Sequence, residues 1–412
     1  MTGGFVDSTA YYALLQIFIL LAFAELLRSV AERHGFPPTV GEVLAGMVLG
    51  TYAVGGLINH YVVHTQFFVV NDFVLLFADF SVILLIFAAG LEGGFSSLRS
   101  VGAPAVGAAI LGDVIPFAAA FVVFSLFFPI HTALLIGAAA GATSTAVIAS
   151  LIRSEGLATH QVGRFLLNTA ALDDVVALLL LTVALTANPT NLNVISLSGG
   201  LALTVVAWLV ILFASVYFIP RILRPFSTRS STTAPFVILF ALVAIVASLG
   251  FSAIIGAYVA GLAVGESLLA SRAKRLADLL LVIFGSLFFV VVGAEFDVRI
   301  LLDPAAWLFA AFLTGIAIFG KMAGVYLLAR TRFAGSELRT VVVGMIPRAE
   351  IGLIVAAIGY TLGVFDQDLL GAILLMSIVT TLVGGYLFKT EARHLTVGEA
   401  RRPLELEAGA HP

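Results

Sequence analysis

Thirteen stretches of this chain are apolar without a break for about the length that crosses a bilayer, and that governs what it can fold into. A spanning helix takes about 20 residues. The stretches lie near 11–30, 37–53, 72–91, 104–128, 132–152, 165–187, 196–219, 234–249, 251–268, 277–295, 304–328, 338–360 and 366–388. They are continuous rather than alternating, which excludes a membrane β-barrel. Of the 412 residues, 61% are hydrophobic and 11% charged, against about 25% charged in a soluble domain. A water-soluble fold of this composition would have nothing to cover its surface with, so a soluble enzyme and a disordered chain are excluded. A net charge of −3 argues against nucleic-acid binding, and the lack of cysteine excludes disulfides and thiolate metal sites. The chain reads as an all-α polytopic membrane protein with thirteen transmembrane helices.

Segments 234–249 and 251–268, split at Gly250, are together too long for one crossing and count as two. The flank Met1 to Ala10 carries no Lys or Arg and holds Asp7, so the first segment is not a signal peptide by pattern. Thirteen crossings put the termini on opposite sides. One set of loops, with the tail 389–412, then holds eighteen of the 21 basic residues, including Arg99, Arg153, Arg229, Lys274 and Lys389. The other set holds Arg299 alone, and Lys321 and Arg348 lie inside spans. The positive-inside rule places the tail 1–10 outside and the C-terminus in the cytoplasm; the expected location is the plasma (inner) membrane.

An internal repeat follows. Phe36, Gly41, Ala45, Gly46 and Gly50 in span two recur as Phe251, Gly256, Ala260, Gly261 and Gly265 in span nine, at a constant offset of 215. Span three ends in Gly90-Leu91-Glu92 and span ten in Gly293-Ala294-Glu295. Small residues at four-residue spacing are common packing faces, but the shared order in two successive helices favours a repeat. Equivalent helices stand seven apart, an odd number, so the copies are inverted. The expected plan is a first repeat over 11–188, a linker helix at 196–219 and an inverted second repeat over 234–388. Inverted six-helix repeats are a transporter architecture with the site near mid-membrane.

Charge at the bilayer centre costs at least about 2.5–3.5 kcal/mol per residue. Asp113, Asp173, Asp174, Lys321, Arg348 and Glu350 therefore need a reason. Asp173 and Asp174 project about 100° apart on a helix. One can face a cavity while the other meets a neighbouring helix. Close carboxylates compete for ionisation, which suits groups that bind and release protons. Lys321 is too deep to snorkel and needs an anion, Asp173 or Asp174. It serves as a proton carrier or as a permanent structural ion pair. Asp113 either pairs with Arg348 or lines a cavity, and Asn168 is a further polar candidate beside the aspartate pair. Glu25, Glu42 and Asp79 lie nearer span ends and read as solvated or snorkelling. The seven histidines read as loop or tail residues, with His34 and His160 as possible pH sensors.

Two spans carry helix-interrupting runs: Gly141-Ala142-Thr143-Ser144-Thr145-Ala146 and Gly344-Met345-Ile346-Pro347-Arg348-Ala349-Glu350-Ile351-Gly352. Pro347 removes a backbone donor in mid-span. The interruptions fall at equivalent positions of the two repeats, the pattern of crossed discontinuous helices at a transport site. Freed carbonyls and the hydroxyls of Thr143, Ser144 and Thr145 are hard oxygen donors suited to an alkali cation, although such hydroxyls also serve simple helix–helix hydrogen bonding. Arg348 and Glu350 can neutralise helix ends at the crossing.

Taken as a set, these features resemble the cation–proton antiporter superfamily, in particular its electrogenic bacterial sodium/proton branch. Pro347-Arg348-Ala349-Glu350-Ile351-Gly352 and Gly41-Glu42-Val43-Leu44-Ala45-Gly46 are also similar to that branch, and the likeness covers about residues 11–388. The resemblance implies that Asp174, with Thr143, takes sodium and protons in turn, that Asp173 pairs with Lys321, and that Glu350 stands at the second crossing. It implies no cofactor, transported Na+ or Li+ and protons, elevator-like motion and a homodimer. Electroneutral relatives carry Asn where this chain has Asp173, and potassium-efflux relatives often carry Gln. The large cytoplasmic nucleotide-binding domain usual in the latter has no counterpart here.

The rivals are weaker. An intramembrane aspartyl protease places its aspartates on separate helices, one in Gly-x-Gly-Asp, whereas Ile110 stands where Gly112-Asp113 would need the earlier glycine. A channel predicts filter loops around a pore. A potassium/proton antiporter of the same superfamily and a sodium-coupled organic-solute symporter remain as alternatives.

Overall fold

The computed structural model describes residues 8–34, 36–64, 67–93, 102–186, 194–226, 233–249 and 251–408. Gly250, Arg99, Arg229 and the tail up to Asp7 lie outside them. Among the described residues there is no strand. The helices are α1 Ser8–Arg33, α2 Pro38–Leu49, α3 Val54–Ile58, α4 Asp72–Gly93, α5 Ala103–Phe124, α6 Ile130–Gly141, α7 Thr145–Ser154, α8 Gln161–Thr186, α9 Val194–Leu223, α10 Ala234–Ser248, α11 Ala253–Gly265, α12 Ala270–Glu295, α13 Pro304–Ala329, α14 Gly335–Gly344, α15 Glu350–Thr361 and α16 Gln367–Ala408. Among the described residues ten helical segments are long and apolar enough to cross a membrane, and Ala234–Ser248, Ala253–Gly265 and Glu350–Thr361 are apolar but shorter. At 1.5 Å per residue these three fall short of a hydrocarbon core of about 30 Å. The chain is thus an all-helical polytopic membrane protein.

Two elements depart from the expected bounds. Span two stops at Gly50 and continues as α3 and a π-helical turn, Asn59–Val63. The final helix does not end with the apolar run at 388 but continues to Ala408.

The chain divides into two compact units. The first comprises Met1–Arg99, Thr182–Leu308 and Ala356–Ala372. Its framework is two close helix pairs. A Cβ on Gly46 of α2 would lie 1.9 Å from the Val290 carbonyl of α12, and one on Gly261 of α11 would lie 2.2 Å from the Phe87 carbonyl of α4. Only a residue without a side chain allows backbones this close. Leu20 and Ala24 of α1 and Val74 of α4 pack with Leu287 and Val290 into one apolar cluster.

The second unit comprises Ser100–Leu181, Phe309–Val355 and Ile373–Pro412. Its apolar core joins Val147, Ile148 and Leu151 of α7, Phe165 and Leu166 of α8, Val325 of α13, Val341 of α14 and Phe388 of α16. Two helices are broken within it. The first break is Ala142–Ser144, between α6 and α7; the second is Met345–Ala349, between α14 and α15.

Glu42 corrects the solvated reading. It is 3% exposed, accepts from Ser286 Oγ at 2.6 Å and has Arg28 Nη1 at 3.7 Å. Its place near a span end hid its burial, because α12 packs across it. Glu25 and Asp79 are exposed as expected. The histidines are corrected too. His131 lies in the first turn of α6, where its Nε2 is buried without a hydrogen-bond partner among the described residues, and His60 lies in the π-helical turn. His160 caps the start of α8 by accepting from Val162 N at 3.2 Å, and the His34 ring meets the Val30 carbonyl at 2.8 Å.

Candidate ion-binding site

Breaking a helix leaves carbonyls at one end and N–H groups at the other without intrahelical partners. The charges singled out in the sequence are the groups that meet them. At the C-terminal end of α6, Lys321 Nζ donates to the Gly141 carbonyl at 3.0 Å and Arg348 Nη1 donates to the Ala142 carbonyl at 3.4 Å. Cations belong at that end of a helix dipole. Within the break, Thr143 N donates to Asp173 Oδ2 at 3.1 Å. Ser144 caps α7 by accepting from Val147 N at 3.2 Å. Glu350 opens α15, where a carboxylate favours the N-terminal dipole, and is half-buried.

The two breaks meet. Ser144 N donates to the Pro347 carbonyl at 2.9 Å, using an acceptor freed by the interruption. Thr381 Oγ1 of α16 donates to the Arg348 carbonyl at 2.5 Å, and Arg348 Nη2 donates to the Ala317 carbonyl of α13 at 2.5 Å. Arg348 is fully buried and serves carbonyls, with its Nε lacking a hydrogen-bond partner among the described residues.

Around this crossing sits a closed charge cluster. Lys321 Nζ lies 2.5 Å from Asp173 Oδ1 and 2.5 Å from Asp113 Oδ1, and all three side chains are 0% exposed. The aspartate pair splits as helix geometry demands. Asp173 turns to Lys321 and the broken backbone, whereas Asp174 accepts from Thr145 Oγ1 at 3.0 and 3.2 Å. Thr143 Oγ1 is buried with no hydrogen-bond partner among the described residues. An oxygen in that state, a few bonds from the Asp173 contact, fits the donor chemistry of an alkali-cation ligand. Asn168, on α8, is half-buried, and its side chain makes no hydrogen bond to the cluster among the described residues.

One expectation is corrected. Asp113 pairs with Lys321, not Arg348: α5 and α13 pack closely, with a Cβ on Gly320 falling 2.8 Å from Pro116 Cα. Sequence reasoning missed the carbonyls of Ala317, Gly141 and Ala142 and the hydroxyl of Thr381, because backbone acceptors carry no residue signal. Thr381 looks like Thr380, which donates to the Met376 carbonyl of its own helix.

Comparison with known proteins bears on this arrangement. A high-affinity Na+/H+ antiporter from a Synechocystis species is 29% identical, over 90% of this chain and 87% of that one. A Na+/H+-K+ antiporter from Bacillus cereus is 27% identical, over 89% and 93%. The solved sodium proton antiporter MjNhaP1 of Methanocaldococcus jannaschii has the same fold with a TM-score of 0.70 at 15% identity, covering 93% of this chain and 98% of that one. Residues 18–392 match the family described as sodium/hydrogen exchanger, transmembrane, and the chain belongs to that family.

Proposed function

We propose that this protein is an electrogenic sodium/proton antiporter that exports Na+ or Li+ from the cytoplasm in exchange for protons. The observation that carries the reading is the Asp173–Lys321 ion pair buried beside Asp174 at the meeting of two broken helices. Asp174 is the exchanging carboxylate. Ionised, it takes sodium with oxygens of Thr143 and Thr145; protonated, it lets sodium go. Competition for one carboxylate couples the two fluxes. An empty ionised site is too costly to carry through an apolar barrier, so exchange is obligatory.

Thirteen crossings in two inverted repeats support alternating access of an elevator type, with the unit that holds the crossing as the moving part. The short helices α10 and α11 count as crossings in this plan, α15 completes the span begun by α14, and the reciprocal packing of Gly46 on α12 and Gly261 on α4 is what a duplicated element predicts. The N-terminus is outside, the C-terminus is cytoplasmic, and the working unit is a homodimer in the plasma membrane. The names of the relatives support sodium as the cation. The Bacillus cereus relative, named for Na+/H+-K+ exchange, makes potassium the arm to include.

The test is proton movement in liposomes containing the purified protein, an internal pH dye and an imposed proton gradient. Sodium or lithium addition should evoke a pH change in wild type and none in Asp174→Asn. A signal for potassium alone would replace sodium with potassium as the cargo. A folded wild-type protein silent to all three cations would sink the antiporter reading.

A further inference from the structure

A helix continuing past Gly141 would use Thr143 N–H for the Ala139 carbonyl and Ser144 N–H for that of Ala140. Here Thr143 N donates to Asp173 Oδ2 and Ser144 N to the Pro347 carbonyl. Lys321 and Arg348 take the carbonyls of Gly141 and Ala142. The Ala139 carbonyl has lost its helical donor and turns towards α15 and α16. Apart from the chain neighbours and helix backbone of Gly352, only two described atoms stand within 4 Å of the point its Cβ would take. They are Ser377 Oγ at 3.4 Å and the Ala139 carbonyl oxygen at 3.6 Å.

Ser377 is 3% exposed, and its Oγ is buried with no hydrogen-bond partner among the described residues. A helical serine can donate to the carbonyl four residues back, as Thr380 does to Met376; Ser377 does not. Its face of α16 is the one turned to the second break. Thr381, one turn on, donates to the Arg348 carbonyl, and a Cβ on Gly384 would lie 2.8 Å from Pro347 Cδ. Two oxygens thus border one space beside Gly352 without bonding each other, and a buried oxygen without a partner is costly. A desolvated cation would meet two neutral oxygens there and no carboxylate, too little to replace its hydration. A water needs two to four polar partners. The hydroxyl donates or accepts and the carbonyl accepts, so one water satisfies both.

We infer that a buried water bridges Ser377 Oγ and the Ala139 carbonyl beside Gly352, and, resting on the antiport reading, that this bridge positions the break at Ala142–Ser144 for cation binding. Thr143 N–H has two competing acceptors, Asp173 Oδ2 and the Ala139 carbonyl of a continued helix. A water on that carbonyl removes the pull to continue the helix and leaves Thr143 where Asp173 holds it. Ser377 is a positioning residue, acting on the site through the α6 end.

Gly352→Ala tests this sharply. Its methyl carbon makes ordinary contact with both oxygens, so the fold tolerates it, but it takes the place of the water. In proteoliposomes with the pH dye, half-maximal sodium should rise about fivefold, the worth of one hydrogen bond, at an unchanged maximal rate. Ser377→Ala should do the same. The double variant should be no worse than either alone, because both remove one water. Unchanged half-maximal sodium in Gly352→Ala, or effects that multiply in the double variant, overturns the positioning role. A density map of the wild-type chain fine enough to show ordered water decides the bridge itself, whatever the variants do. A peak within hydrogen-bond reach of both oxygens is expected. No peak, or one that strengthens when thallium replaces sodium and is therefore a cation, refutes the water. Failure of the antiport reading looks different: wild type then shows no sodium-evoked pH change, while the map still reports on the bridge.

Discussion

Gly46→Ala adds one methyl group where α2 crosses α12. Its carbon would stand 1.9 Å from the Val290 carbonyl oxygen and 2.7 Å from Ala294 N. Both are backbone atoms of a packed helix, so neither can swing aside. Ordinary contact requires the helices to part by about 1 Å or more, and overpacking of this kind costs about 1–3 kcal/mol. The exchange also gains about 0.8–1 kcal/mol of helix propensity. Gly315→Ala isolates that gain, because nothing lies within 4 Å of its added carbon. Gly46→Ala should therefore unfold more easily than wild type and Gly315→Ala slightly less easily, with a gap of about 1–3 kcal/mol, the overpacking cost alone, since the propensity gain is common to both. The assay is reversible unfolding in mixed detergent micelles, followed by helicity. If Gly46→Ala is as stable as Gly315→Ala, the close approach, and the steric argument built on it, is wrong.

Other consequences are open to measurement. Lys321→Met leaves Asp113 and Asp173 buried without their cation and should cost about 3–5 kcal/mol; adding Asp113→Asn and Asp173→Asn should recover much of it, and no recovery would mean that the loss is packing alone. Thr145→Val removes the hydroxyl that Asp174 accepts from, so half-maximal sodium for transport should rise with little change in unfolding. Outside the membrane, Arg299 holds the Asp297 carboxyl below its usual range, chiefly through side-chain hydrogen bonds at 2.6 to 3.0 Å. A depressed carboxylate contributes stability above the ordinary carboxylate range and loses it as pH falls through its folded value. Unfolding of wild type should thus ease on acidification there, and Arg299→Gln should flatten that part of the pH profile; identical profiles would exclude the coupling.

Much of the site was legible because membrane burial makes charge conspicuous. In a chain with 11% charged residues, Asp173, Asp174, Lys321 and Arg348 inside apolar segments could only be functional or paired, and a partner for Lys321 in Asp173 or Asp174 followed, the family resemblance singling out Asp173. The interruptions at Thr143 and Pro347 were readable for a related reason, since Pro and clustered polar residues change what the backbone itself can bond. Glu42 was misread because depth along the sequence does not say which helix lies opposite. Only the packing of α12 put Ser286 against it and took it out of solvent.

By itself, the sequence determined that the chain is helical and embedded in a membrane, and which residues carry charge into it. Those are one-dimensional properties, set by hydrophobic length and the cost of desolvation. The tertiary structure decided who meets whom: Asp113 with Lys321 and not Arg348, Arg348 with carbonyls, Thr381 with the broken backbone. A partnership over 208 residues, as between Asp113 and Lys321, depends on helix directions and on Gly320 letting α13 approach Pro116 of α5. No local pattern encodes that distance.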